Sequence, residues 1–229
     1  LSAWFSIGPL RTVLFTLLSF GVAYIAEWSS TRVGIPFGEY YYTEGTKGEE
    51  LFLSNVPFMD TLSFTFLAYV SYALALFFER RRRGGEAKEG LSLRTSPRVW
   101  ALATLFFVLI DVVIDPLAVR GDRWFLGRIF GYAHPGVYFG VPLSNFLGWG
   151  IVGGVTFFLS QRLDRGLAVS GAGDPPFPSG DFRDFLGPVL YYLVLAFNLS
   201  VTFWIGEGLL GLSGLLIYTP ITFFFLRYC

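Results

Sequence analysis

Six stretches of the chain are apolar for the length of a bilayer. Residues 10–27, 56–78, 99–119, 136–159, 185–206 and 208–226 are long hydrophobic runs, separated by segments rich in Gly, Pro and charge. A helix rises 1.5 Å per residue, so about 20 residues cross a hydrocarbon core of about 30 Å. The last two runs share one charge, Glu207, and together are twice that length, so the chain is expected to turn at Gly206-Glu207-Gly208. A membrane β-barrel would show short alternating strands instead. The pattern predicts an all-α, polytopic transmembrane helix bundle of about six spans, a single transmembrane domain over residues 1–229.

The polar segments orient that bundle. Residues 79–98 hold Arg80, Arg81, Arg82, Arg83, Lys88, Arg94 and Arg98, and the positive-inside rule makes this a cytoplasmic basic loop of a multi-pass cell-membrane protein. Residues 161–184 are then a second cytoplasmic loop, and 12 of the 17 Lys and Arg residues fall on the cytoplasmic side. On the other side, residues 29–57 contain Gly34-Ile-Pro-Phe-Gly-Glu-Tyr-Tyr-Tyr-Thr43. Its Gly and Pro break helix, and its tyrosines suit headgroup depth. The segment is too aromatic to be disordered and is expected to fold back onto the bundle. Gly150 and Gly154 form a GxxxG, a weak signal for close helix packing.

Against this apolar background two acids stand out. Asp111 and Asp115 are spaced i, i+4, on one face of the third span, with Pro116 expected to end or kink the helix. A charge near the bilayer centre costs at least roughly 2.5–3.5 kcal/mol on insertion scales, so an intramembrane acid is by default a candidate functional group. The topology brings more polar groups to the same, non-cytoplasmic side: Glu27, Asp60, Asn145, Asn198 and Glu207. A polar pocket walled by Phe, Tyr and Trp is therefore expected in that half of the bundle. Each group also has a structural reading. Asp111 can pair with Arg120 or Arg123, Asp115 can cap a helix end, and Asp60 can favour a helix N-terminus. Asn145 and Asn198 can bond between helices, Glu207 can be a solvated turn residue, and His134, beside Pro135, can be structural.

Composition narrows the class further. The chain is 53% hydrophobic, 19% aromatic and 15% charged, with mean hydropathy +0.56, where a soluble domain is nearer a quarter charged. Net charge is zero, so no field points to nucleic acid. Cys229 is the sole cysteine and His134 the sole histidine, which leaves no intrachain disulfide and no Cys/His metal site. Residues 10–28 lack a small-residue cleavage site and read as a span rather than a signal peptide.

Three blocks, taken in order, carry a family resemblance: Gly34-Ile-Pro-Phe-Gly-Glu-Tyr40; Asp111-x-x-x-Asp115-Pro-Leu-Ala-Val-Arg120 with Trp124 following; and Tyr138-Phe-Gly-Val-Pro-Leu-Ser-Asn-Phe-Leu-Gly-Trp149. Together they resemble the integral-membrane carotenoid-biosynthesis hydratases of the bisanhydrobacterioruberin hydratase and γ-carotene 1'-hydratase type. Members of that family have a further hydrophobic segment before the first span seen here, and the chain opens on Leu1 rather than Met, so sequence upstream is expected. The resemblance implies that water adds across the terminal 1,2 double bond of an acyclic carotenoid, with no redox cofactor. The partners it implies are membrane lipid, a long-chain lycopene-like or C50 substrate, and other carotenoid-biosynthesis enzymes.

The residues can be fitted to that chemistry. A proton on C2 leaves a tertiary cation at C1, which water captures. A buried carboxylic acid can supply the proton, and aromatic faces can stabilise the cation. Asp111 is the candidate acid; Asp115, Asp60 or Asn145 is placed to position the nucleophile, and Glu39 is a further candidate. Tyr40, Tyr42, Trp124, Tyr138, Phe146 and Trp149 are the candidate substrate contacts. Two other readings compete. Asp-x-x-x-Asp also suits a Mg²⁺-diphosphate site of a UbiA-like membrane prenyltransferase, although that family resembles a pattern of two acidic motifs and about nine spans. The aromatic richness alone suits a non-catalytic carotenoid-binding protein.

Overall fold

The six apolar runs form six helices long and apolar enough to cross a membrane: α2 (Pro9–Val33), α3 (Phe58–Arg82), α5 (Pro97–Ala118), α6 (Leu143–Val169), α7 (Arg183–Trp204) and α8 (Gly208–Tyr228). The computed structural model describes residues 1–43, 45–84, 90–124, 126–171 and 183–228, leaving aside the side chains of 122, 183 and 184. The middle parts of both expected cytoplasmic loops, residues 85–89 and 172–182, and Cys229 lie outside the described residues. Short elements complete the chain: α1 (Ser2–Ile7), α4 (Gly90–Arg94), a 3₁₀ turn at Gly121–Arg123, and the strands β1 (Tyr40–Tyr42), β2 (Phe52–Leu53), β3 (Val56–Pro57) and β4 (Phe130–Tyr132).

Helix α3 is the axis of the bundle. Its middle, Leu67 to Phe77, is buried all round, with α2, α5 and α7 packed against it. Small side chains at Ala68, Ser71, Ala73 and Ala75 let those helices approach, as expected where packing rather than water drives association. Gly187 of α7 sits so close to Ala73 that an added Cβ would meet it at 2.3 Å. Helix α6 closes the ring against α2 and α5, and α8 lies outside against α7 and α5.

Several boundaries differ from the hydropathy pattern. The fourth span begins at Leu143 rather than residue 136, because Gly136 and Tyr138 bond back to Gly140 and Val141 in a tight hairpin. It then continues to Val169, so the first part of the expected 161–184 loop is helical. That extension has a use. Asp164 accepts from Arg11 at 2.6 Å and from Arg94 at 2.5 Å, and Gln161 donates to the carbonyls of Arg94 and Ser96. Arg94, one of the basic-loop residues, is 1% exposed, so here a loop cation serves as an internal clamp. Pro116 does not end α5, which runs two residues further.

The 34–43 segment folds back as its composition suggests. Phe37 is buried, its N–H donating to Ser30 Oγ at 3.0 Å and its carbonyl accepting from Ser144. Tyr40–Tyr42 then pairs antiparallel with Phe130–Tyr132, with Tyr40 opposite Tyr132. This ribbon lies over one end of the bundle.

The tight glycine contacts are not those of the GxxxG. An added Cβ at Gly150 would meet Val108 at 3.7 Å, and at Gly154 would meet Trp100 at 3.8 Å, both ordinary contacts. At Gly148 it would lie 2.5 Å from the Phe37 ring and 3.0 Å from the backbone of Pro36 and Phe37. Gly148→Ala should therefore destabilise the protein by roughly 1–3 kcal/mol, the usual cost of overpacking, and Gly150→Ala should be neutral or slightly stabilising. Thermal aggregation midpoints of the two variants in detergent check this; equal midpoints would refute it.

Candidate functional site

Under the ribbon, between α3, α5, α6 and α7, is a cavity of ≈ 310 Å³. That is the lower end of the roughly 300–1,000 Å³ range of small-molecule sites. Its wall is mostly apolar. Phe64 and Trp149 stack at 4.3 Å between ring centres, with Phe37 against both. Polar groups reach it from Asp60, Asp115, Asn145, Asn198 and the phenols of the ribbon. Some of its lining residues are also exposed on the outer face: Met59 and Phe66 of α3, Phe197 of α7 and Leu126.

The carboxyl groups come in two pairs. Asp111 and Asp115, one turn apart on α5, are both buried. Between them Asn145 Nδ2 donates to Asp111 Oδ2 at 2.9 Å and to Asp115 Oδ2 at 2.7 Å. Tyr132 on β4 adds a bond to Asp115 Oδ2 at 3.1 Å. The second pair, Glu27 of α2 and Asp60 of α3, is bridged by Tyr42 of β1, whose hydroxyl lies 2.7 Å from Glu27 Oε1 and 2.6 Å from Asp60 Oδ2. Each pair thus has one member at the cavity wall and one behind it: Asp115 backed by Asp111, and Asp60 backed by Glu27.

The tyrosines are held as neutral donors. Burial pushes the phenols of Tyr40, Tyr42 and Tyr132 above their usual 10.0, and neighbouring carboxylates push further: Glu27 on Tyr40, Asp60 and Glu27 on Tyr42, Asp115 and Asp111 on Tyr132. An un-ionised phenol donates one hydrogen bond, and a carboxyl group needs donors when it is out of water.

Of the residues the sequence points to, the structure gathers Glu27, Asp60, Asp111, Asp115, Asn145 and Asn198 at this end of the bundle, together with Tyr40, Tyr42, Trp124 and Trp149 around the cavity. It does not bring the others there. Glu39 and His134 are exposed and do not line the cavity. Tyr138 and Phe146 pack on each other at 5.5 Å, outside it. Asp111 does not pair with Arg120 or Arg123, because both arginines hold Glu207; for the same reason Glu207 is a clamp rather than a solvated turn residue. Asn198 donates to Val194 of its own helix rather than across helices. Thr61, Phe64 and Tyr132 are site residues the sequence does not single out. Tyr132 had a faint signal, an aromatic alternation at Phe130-Gly131-Tyr132 able to pair with Tyr40–Tyr42.

The donor chemistry bears on the choice of reaction. An amide N–H₂ wedged between two carboxyls, an orientation assigned from the bonds it makes, holds one oxygen of each. Among the described residues, no three His, Cys, Asp or Glu side chains are grouped closely enough to hold a metal ion.

The chain is similar to a known protein. It is 32% identical over 206 residues to the bisanhydrobacterioruberin hydratase of Haloarcula japonica, a match that covers 90% of this chain and 61% of that protein. The chain therefore spans less than two thirds of the length of that curated relative. No solved structure gives a significant match. The family model described as carotenoid biosynthesis protein matches residues 2–213, a range that runs from α1 into α8 and includes both carboxyl pairs and the ribbon over them. The chain belongs to the carotenoid biosynthesis protein family.

Proposed function

We propose that this protein is a carotenoid hydratase, adding water across the terminal 1,2 double bond of an acyclic end group to give a tertiary alcohol. The observation that carries this reading is the cavity itself: an aromatic chamber of end-group size with carboxyl groups at its wall. The hydratase relative supports it. A whole carotenoid is far longer than the chamber, so only its end enters. The polyene runs out past Met59, Phe66 and Phe197, where the lining meets the outer, lipid-facing surface. With the 80–98 loop cytoplasmic, this mouth opens in the outer half of the membrane.

Protonation of C2 is assigned to the Asp111–Asp115 pair through Asp115, its member at the cavity wall. Asp111 backs it, and Asn145 and Tyr132 fix its orientation. The faces of Phe64, Trp149 and Tyr40 surround the position where the C1 cation forms, and ring quadrupoles attract such a charge. Water held at the polar end of the chamber captures it. No step calls for a change of oxidation state.

Expression in a lycopene-accumulating bacterial host should yield pigment heavier by one or two waters. Asp115→Asn should lower the rate by about 10²–10⁴-fold, the usual contribution of a general acid, with the folded protein still present. A wild-type protein that leaves both lycopene and a C50 precursor unchanged would overturn the reading, as would normal turnover by both Asp111→Asn and Asp115→Asn. The prenyltransferase alternative differs in one easy respect. Turnover should survive EDTA, and loss with EDTA restored by Mg²⁺ would favour that alternative.

The phenols also set a pH expectation. Because Tyr40, Tyr42 and Tyr132 ionise above the usual 10.0, none of them should produce an alkaline fall in rate below about pH 10. A rate profile from pH 7 upward tests this, and a fall below pH 10 that Tyr132→Phe abolished would contradict it.

A further inference from the structure

Hydration by Asp115 leaves one wholly buried carboxyl without a task. Glu27 is 0% exposed and does not line the cavity, yet it is bonded into the wall from behind. Thr61 Oγ1 donates to its Oε2 at 2.5 Å. Tyr42 Oη lies 2.7 Å from its Oε1 and 2.6 Å from Asp60 Oδ2, while Tyr40 donates to Tyr42 at 3.2 Å.

Counting hydrogens makes this arrangement informative. A phenol carries one hydrogen, and Tyr42 has two carboxyl oxygens at bonding distance. It can serve one of them. The other short oxygen–oxygen contact requires a hydrogen from a carboxyl, so the Glu27–Tyr42–Asp60 cluster is built to share protons. Its member at the cavity wall, Asp60, faces the same chamber as Asp115.

We propose that Glu27, acting through Tyr42, is a positioning residue that holds Asp60 as the acceptor of the proton released when water is captured. This rests on the hydration reading. The step balances as follows. Asp115 gives a proton to C2, and the π pair forms the C–H bond. A water lone pair then forms the C–O bond at C1, and the resulting oxonium gives one proton to Asp60. One water has been added, nothing is oxidised or reduced, and a proton has moved from the α5 pair to the Glu27–Tyr42–Asp60 cluster; exchange with water in the chamber restores both.

The test uses Glu27→Gln, Tyr42→Phe and the double variant, purified in detergent, with two readouts. The first is turnover on the acyclic carotenoid that the wild type hydrates. Glu27→Gln should lower kcat by about 10²-fold, the lower range for proton-transfer groups, with KM within about twofold. Tyr42→Phe should lower kcat at least as much, and the double variant should be no slower than the slower single variant. Unchanged kcat in Glu27→Gln, or losses that multiply, would overturn the proposal. If Glu27→Gln does not stay monodisperse, Tyr42→Phe on the ribbon carries the test, and its wild-type kcat would overturn it. The second readout is the infrared carboxyl stretch, which needs no turnover. A deuterium-sensitive protonated-carboxyl band should be present in the wild type and altered in Glu27→Gln and Tyr42→Phe. A protein that hydrates nothing but shows this pattern would refute the hydration reading alone, whereas a band indifferent to both substitutions would refute the shared hydrogen.

Discussion

Two pairs of carboxyl groups set into an apolar bundle impose the constraint on which the rest depends. A carboxyl out of water must be given hydrogen-bond partners by the protein, and here no helix supplies them alone. Asn145 of α6 serves the pair on α5, Thr61 of α3 serves Glu27 of α2, and the ribbon serves both pairs, through Tyr42 and Tyr132. The acids therefore tie the helices together alongside the aromatic core. Removing a single donor leaves a buried acceptor unsatisfied, which costs more than the bond itself was worth.

The ribbon explains why that network faces a chamber. Pairing puts Tyr40 opposite Tyr132, and alternation along a strand puts Tyr40 and Tyr42 on one face. A slip of one residue would turn those phenols away from the acids. The register is held by Phe37 packed beneath it and by Gly148, whose missing side chain lets Phe37 approach α6. A glycine on a membrane helix and a pair of tyrosines in a connecting loop thus set the same geometry.

Hydropathy alone made the helices legible, because a bilayer demands long apolar runs and Arg-rich loops separate them. The polar convergence was legible too, since alternating spans carry Glu27, Asp60, Asp111, Asp115 and Asn145 to one end. What was not legible is which carboxyl faces the chamber. Asp111 and Asp115 share a helix face, and only the packing of the whole bundle puts Asp115 at the wall and Asp111 behind. Tyr132 was hidden for another reason: it acts through strand pairing with a segment some 90 residues away, a distance over which local pattern carries no information. Glu39, Tyr138 and Phe146 looked promising because they sit inside distinctive sequence blocks. Those blocks hold turn and packing residues as well as cavity residues.

The division of donors has a bearing on biogenesis. Helices insert in the order they are synthesised, and Glu27 finds Tyr42 and Thr61 within the first two spans. Asp111 and Asp115 enter with the third, but their amide partner, Asn145, arrives only with α6. During that interval α5 is a span carrying two acids without their lasting partner, so it is the segment whose retention in the membrane depends on what the ribosome makes next.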